Sequence, residues 1–283
     1  MRSIIRIAVL AAAVVLMTTG CGVKTAYNNA DWLLMRSINE RVSLSDEQER
    51  EVNALLEESL AWHCASELPD YAAFLRQVDE DMVAGRFSRP TLEGYGQTVS
   101  DFGRRLLAKL RPAVVDLLAG LSDEQVDELA ASFEERNNEL IEEAESYFDE
   151  SSITERAEGF EKGMRRLSGR LTDEQRERLM TWSRALQPSA ALTLQRRLRW
   201  QAEFRRVMAI RADRDRFDRA MTELLQPDLF MSDALAQRRE HNRILTLEAA
   251  VDIHRLAPEE QVEALRENLA GLSEDLEQLS CSG

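Results

Sequence analysis

Along most of this chain the apolar residues recur at steps of three and four, the spacing that lines one face of an α-helix. Val52, Leu55, Leu56, Ser59, Leu60 and His63 follow it, as do Tyr71, Phe74, Leu75 and Val78. The pattern returns at Leu106, Leu107, Leu110, Val114, Leu117 and Leu118, then at Val126, Leu129, Ala130, Phe133, Leu140, Ile141 and Ala144. Near the C-terminus Val262, Leu265, Leu269, Leu272, Leu276 and Leu279 form a heptad seam, which predicts lengthwise packing on another helix of the same chain. No stretch alternates with period two for long enough to read as a strand. The expected fold class is all-α, an elongated multi-helix bundle of antiparallel helices without a sheet.

Helix starts are marked by a repeated word. Leu44-Ser45-Asp46-Glu47-Gln48 recurs as Leu121-Ser122-Asp123-Glu124-Gln125 and as Leu171-Thr172-Asp173-Glu174-Gln175, with a looser copy at Leu256-Ala257-Pro258-Glu259-Glu260-Gln261. In the first three, the hydroxyl caps the free amides of a new helix while Gln reaches back to the cap's own N–H. The copies start 77, 50 and 85 residues apart, which excludes a solenoid of fixed period. Other boundaries follow from breakers. A first helix is expected over 27–42 after a short tether, and Pro69 is expected to end the next one. Pro112 should kink or split the helix that holds it, and 151–155 reads as a break with a fresh cap. Residues 189–225 contain no Gly or Pro and read as one helix about 55 Å long. Gln187-Pro188 leaves open whether the helical domain, 44–283, is one bundle or two sub-bundles dividing near 188.

Ahead of these helices, Arg2 and Arg6 precede an unbroken apolar run from Ile7 to Met17, too short for the roughly 20 residues of a membrane span. Residues 1–20 therefore read as a cleaved signal peptide, and 21–43 as the segment tethering the domain. Gly20-Cys21 resembles the lipobox of bacterial lipoproteins, which implies acylation, palmitate included, of Cys21. Gly22 rather than Asp after the cysteine implies sorting to the outer membrane, on the periplasmic side of a Gram-negative envelope.

Charge narrows the partners. Without Arg2 and Arg6 the chain carries 34 basic and 51 acidic residues, a net of −17, which argues against nucleic acid as a partner. Cys64 and Cys281 remain after Cys21; a disulfide between them and a pair of free thiols are both open on the sequence. His63, His241 and His254 lack the spacing of a helical metal site, and no phosphate loop or nucleophile elbow occurs. No catalytic residue, metal or cofactor is expected. One stretch departs from the acidic background: residues 195–220 hold nine arginines against four acids, with Trp200, Phe204 and Phe217 interleaved. Arg196, Arg197, Arg199, Arg205, Arg206, Arg211 and Arg214 are thus the candidate binding face, since guanidinium forks suit carboxylate and phosphate groups. The competing reading pairs them with glutamates of neighbouring helices.

The lipobox, Tyr27-Asn28-Asn29-Ala30-Asp31-Trp32-Leu33-Leu34, the first word after Val42-Ser43, Trp62-His63 with Glu67-Leu68-Pro69-Asp70-Tyr71, Arg136-Asn137 and the third word with its Arg-rich sequel together resemble a family of proteobacterial lipoproteins of unknown function. Leu171 to Gln175 is also similar to the Leu-Thr-x-x-Gln motif of small periplasmic proteins of the Spy and CpxP type. The family resemblance implies little about activity; the anchor at Cys21 and the Arg-rich stretch together lead to the expectation of a non-enzymatic, membrane-anchored envelope protein that binds proteins or peptidoglycan, with chaperone-like action. A hydrolase of peptidoglycan or lipid that uses carboxylates, and a purely structural lipoprotein, are the alternatives.

Overall fold

The computed structural model describes residues 21–281, apart from the side chains of Cys21, Glu135 and Arg136; the expected leader, 1–20, lies outside the described residues. Among the described residues the chain is an all-α bundle with no strand. The helices are α1 (Cys21–Asn28), α2 (Ala30–Asn39), α3 (Asp46–Ser66), α4 (Leu68–Val83), α5 (Arg89–Ala119) and α6 (Asp123–Glu145). They continue as α7 (Glu150–Ser168), α8 (Asp173–Ala185), α9 (Ala190–Met208), α10 (Arg214–Leu224), α11 (Asp233–Arg255) and α12 (Glu259–Leu279). None is long and apolar enough to cross a membrane.

Three of the four words form full capping boxes. Ser45 accepts from the Gln48 amide while Gln48 Oε1 accepts from Ser45 N–H at 2.9 Å, and Ser122 with Gln125 and Thr172 with Gln175 repeat this at α6 and α8. At α12 the cap is Pro258, which supplies no side-chain bond.

Three clusters make the core. The largest joins Val42, Val115 and Leu121 to Phe204, Val207 and Met208 of α9 and to Phe217, Met221 and Leu224 of α10. A second packs Ala157, Leu171, Leu179 and Trp182 against Ala249 and Ile253 of α11. The third holds Cys64, Leu68 and Ala72 against Leu276, so the heptad seam of α12 rests largely on α4. The first two clusters each draw residues from both sides of residue 188.

Several boundaries differ from the expected ones. The segment after Cys21 is a helix rather than a tether, with Val23 buried, and α1 and α2 split at Asn29 where one helix was expected. Pro69 opens α4 instead of ending α3, because proline's missing N–H costs nothing in a first turn. Helix α5 runs through Pro112 for 31 residues, neither split nor ended. The break expected over 151–155 lies just before α7, which begins at Glu150.

The largest correction concerns 189–225, which is two helices. On one straight helix the face of Phe204, Val207 and Met208 and that of Phe217, Met221 and Leu224 would point roughly 130° apart, at 3.6 residues per turn. Both faces belong to one core, so the chain must turn between them. Asp213 then caps α10, accepting from the Arg216 amide, without Gly or Pro.

Candidate functional site

Most arginines of the stretch from Arg196 to Arg216 are engaged within the protein. Arg196 is buried, and its guanidinium donates to the carbonyls of Leu229 at 2.9 Å and Pro227 at 2.6 Å. This corrects its place in the candidate face: the loop after α10 has carbonyls without helical partners, and Arg196 satisfies two of them. Trp200 Nε1 serves the Leu224 carbonyl in the same way at 3.0 Å. Arg211 donates to the Leu121 and Met208 carbonyls and pairs with Asp123. Arg214 pairs with Asp116 and Asp218, and Arg205 reaches Glu134 of α6 at 2.6 Å. Arg206 holds Glu203 one turn back, which keeps that carboxyl below its ordinary range through the hydrogen bond. Arg197 is engaged as well, whereas Arg199 lies exposed. Of the expected face, the outward parts are Arg199, Arg205, Arg206 and Arg214.

A second constellation lies where α1, α3, α4, α5 and α12 meet. Cys64 and Cys281 are joined by a disulfide, with Cα atoms 5.2 Å apart across 217 residues of sequence. One turn past Cys64, the buried Glu67 receives both forks of Arg105 at 2.9 Å each, and Arg105 Nη2 also reaches Asp70 at 2.7 Å. The Arg105 guanidinium lies 5.1 Å from the Phe102 ring. Aromatic rings surround the pair: His63 contacts Tyr27, Trp62 and Tyr71, and Tyr71 tilts onto Phe102 at 4.7 Å. Tyr27 hydroxyl and His63 Nδ1 are 3.0 Å apart.

The electrostatics there follow from burial. It pushes the Tyr27 hydroxyl up to about 12, and it raises Tyr71 too, helped by the Glu67 charge. Burial lowers His63 despite the opposing pull of Glu67. Asp81 is buried on α4, where Tyr95 donates at 2.6 Å and Arg86 at 2.6 and 2.9 Å, and these bonds hold its carboxyl below the usual range. Elsewhere among the described residues, hydrogen bonds likewise lower the carboxyls of Glu58, Glu124, Glu203 and Glu240.

Two shallow concave surfaces lie on the described residues. One, about 620 Å³, runs along a single face of α7 between Glu158, Glu161, Lys162, Arg165 and Arg166. Another, about 310 Å³, lies between α9 and α10 beside Arg206 and Glu223. No group of three metal-ligating side chains is gathered among the described residues.

A family model described as a family of unknown function, DUF6279, matches residues 40–233. The chain belongs to that family. The matched region holds Glu67, Arg105, Asp81 and the first three words, while α1, nearly all of α11, α12 and Cys281 lie beyond it. No curated protein and no solved structure matches the chain.

Sequence reasoning set Trp62-His63 and Glu67 side by side as family motifs without linking them to Arg105, which is 38 residues from Glu67. The signal available was a lone glutamate ahead of Leu68-Pro69 at a helix junction, which does not name its partner.

Proposed function

We propose that this protein is an outer-membrane lipoprotein, anchored through acylated Cys21 and facing the periplasm, that acts by binding other envelope proteins rather than by catalysis. The observation that carries the reading is the Cys64–Cys281 disulfide, because such bonds persist in oxidising compartments such as the periplasm. The apolar leader and Gly20-Cys21 supply the matching address. Binding is the reading favoured by the outward charge of Arg199, Arg205, Arg206 and Arg214, whose guanidinium forks suit carboxylate and phosphate groups of a partner.

The binding surface combines outward charge with scattered apolar side chains. Phe148 at the α6–α7 corner is three-quarters exposed, and Ile141 and Leu198 are also exposed. The chaperone-like part of the proposal assigns Phe148, the most exposed of these, to contact with unfolded segments. Two measurements test it. Labelled palmitate should enter the wild-type chain and not Cys21→Ser. The purified Cys21→Ser chain should suppress aggregation of an unfolding periplasmic protein near equimolar ratio, and Phe148→Asp should weaken this. Absence of suppression removes the chaperone-like part and leaves the anchor to the palmitate result.

A further inference from the structure

Helix α2 buries no side chain fully, although its sequence, ADWLLMRSIN, is half apolar. Trp32, Leu33 and Leu34 are exposed in succession, Trp32 by 58%. Three adjacent exposed apolar residues are unfavourable in water unless something covers them. Helix α1, just before, is by contrast fixed to the body. Val23 is buried, Lys24 Nζ reaches Asp275 at 2.8 Å and Gln278 at 2.6 Å, and Tyr27 contacts His63. Cys21 therefore sits at the end of a docked helix with no slack behind it, and α2 follows after Asn29 alone.

We infer that α2 is a lipid-contacting element, with Trp32, Leu33 and Leu34 seated at the boundary of headgroups and acyl chains in the membrane that holds Cys21. This rests on the anchored reading above. Trp32 is 11 residues past Cys21, so at 1.5 Å per helical residue it lies within about 16 Å of the anchor. Interfacial helices sink roughly 5–10 Å, and tryptophan favours that layer because its ring is apolar and its N–H polar. The Arg36 guanidinium lies 5.6 Å from the Trp32 ring and pairs with Glu40 at 3.0 Å, so a charged pair borders the ring at the depth of the headgroups. Residues 21–41 carry Lys24, Arg36 and Arg41 against Asp31 and Glu40, a net of +1 in a chain that carries −17 without Arg2 and Arg6. The acidic body is repelled by an anionic surface, and this segment is the part suited to approach it.

The test couples the chain beginning at Cys21 to vesicles of phosphatidylcholine and phosphatidylethanolamine through a maleimide lipid. The disulfide leaves Cys21 as the reactive thiol, so coupling does not depend on natural acylation. Vesicles carry a nitroxide lipid labelled near the headgroup, and Trp32→Phe isolates the Trp32 emission from the other three tryptophans. The expected result is a blue shift and loss of most Trp32 emission on coupling, reduced by Leu33→Asp with Leu34→Asp. Equal quenching of wild type and Trp32→Phe would overturn the inference. So would shielding of Trp32 from acrylamide that grows with protein concentration in the absence of lipid, which identifies a second copy as the cover. Quenching on coupled vesicles without palmitate incorporation in cells would refute the anchor and uphold the lipid-contacting face.

Discussion

The side-chain amides of Gln48 and Gln125 bond each other in both directions, at 3.1 and 2.7 Å, across 77 residues of sequence. Each also donates to a carbonyl beside the other's word: Gln48 to Gly120 and Gln125 to Ser43. Each carbonyl oxygen further accepts from its own cap amide, so all four hydrogen-bonding positions of each amide are used. The third and fourth words meet likewise. Gln175 donates to Gln261 at 2.8 Å and to the Ile253 carbonyl, and Gln261 returns a bond to the Arg170 carbonyl. A capping box accepts Glu or Gln alike, but only an amide both donates and accepts. The repeated word therefore starts a helix and also joins it to the start of another.

Gln48→Ala and Gln125→Ala should each destabilise the protein by about 1–2 kcal/mol, from the lost cap and the stranded partner. In a double-mutant cycle read by urea unfolding, the pair should show coupling of about 1 kcal/mol. Simple additivity would mean that the reciprocal bonds contribute nothing. Changing both residues to Glu keeps both boxes but opposes two carboxylates, and should cost more than the two single changes together.

Reduction of Cys64–Cys281, or Cys281→Ser, releases a constraint across 217 residues and should lower stability on the order of 3–5 kcal/mol. Urea midpoints with and without reductant measure this. The loss should appear together with exposure of α1, whose contacts reach Asp275 and Gln278 of α12.

Removing Arg105 strands the buried Glu67 charge, so Arg105→Ala should cost about 3 kcal/mol, even with its guanidinium partly in water. Arg205→Ala breaks a pair exposed on both sides and should cost less than about 1 kcal/mol. Equal effects on thermal unfolding would show that Glu67 is not the burden its burial implies.

Acid should weaken the fold through His63. Its folded value lies below the ordinary 6.5, so as pH falls past 6.5 the unfolded chain takes up a proton that the folded chain refuses. Stability is therefore unaffected by this group above that point and declines below it. His63→Phe should flatten the difference between stabilities measured at pH 7 and pH 5; a slope matching wild type would exclude His63 as the source.

Much of the fold was legible because its determinants are local. The stripe on α6, the seam on α12 and the boxes at Ser45, Ser122 and Thr172 each depend on residues within a few turns. The interruption between Met208 and Arg214 was missed for want of a breaker, although the rotation between its two apolar faces was already in the sequence. The pairing of the arginine stretch was not legible because its partners, Asp116, Asp123 and Glu134, lie 71 to 98 residues away. Glu67 and Arg105 gave no joint signal for the same reason.

By itself the sequence determined an all-α protein, the sites of its helix starts and the expectation of an envelope address, because periodicity, caps and leader composition act through neighbouring residues. Only the tertiary structure decided that Gln48 faces Gln125, that Arg196 serves carbonyls, that Cys64 bonds Cys281 and that α2 leaves Trp32 uncovered. Those outcomes depend on which helices meet, and that is set by how the apolar faces of distant segments bury one another rather than by any one stretch of chain.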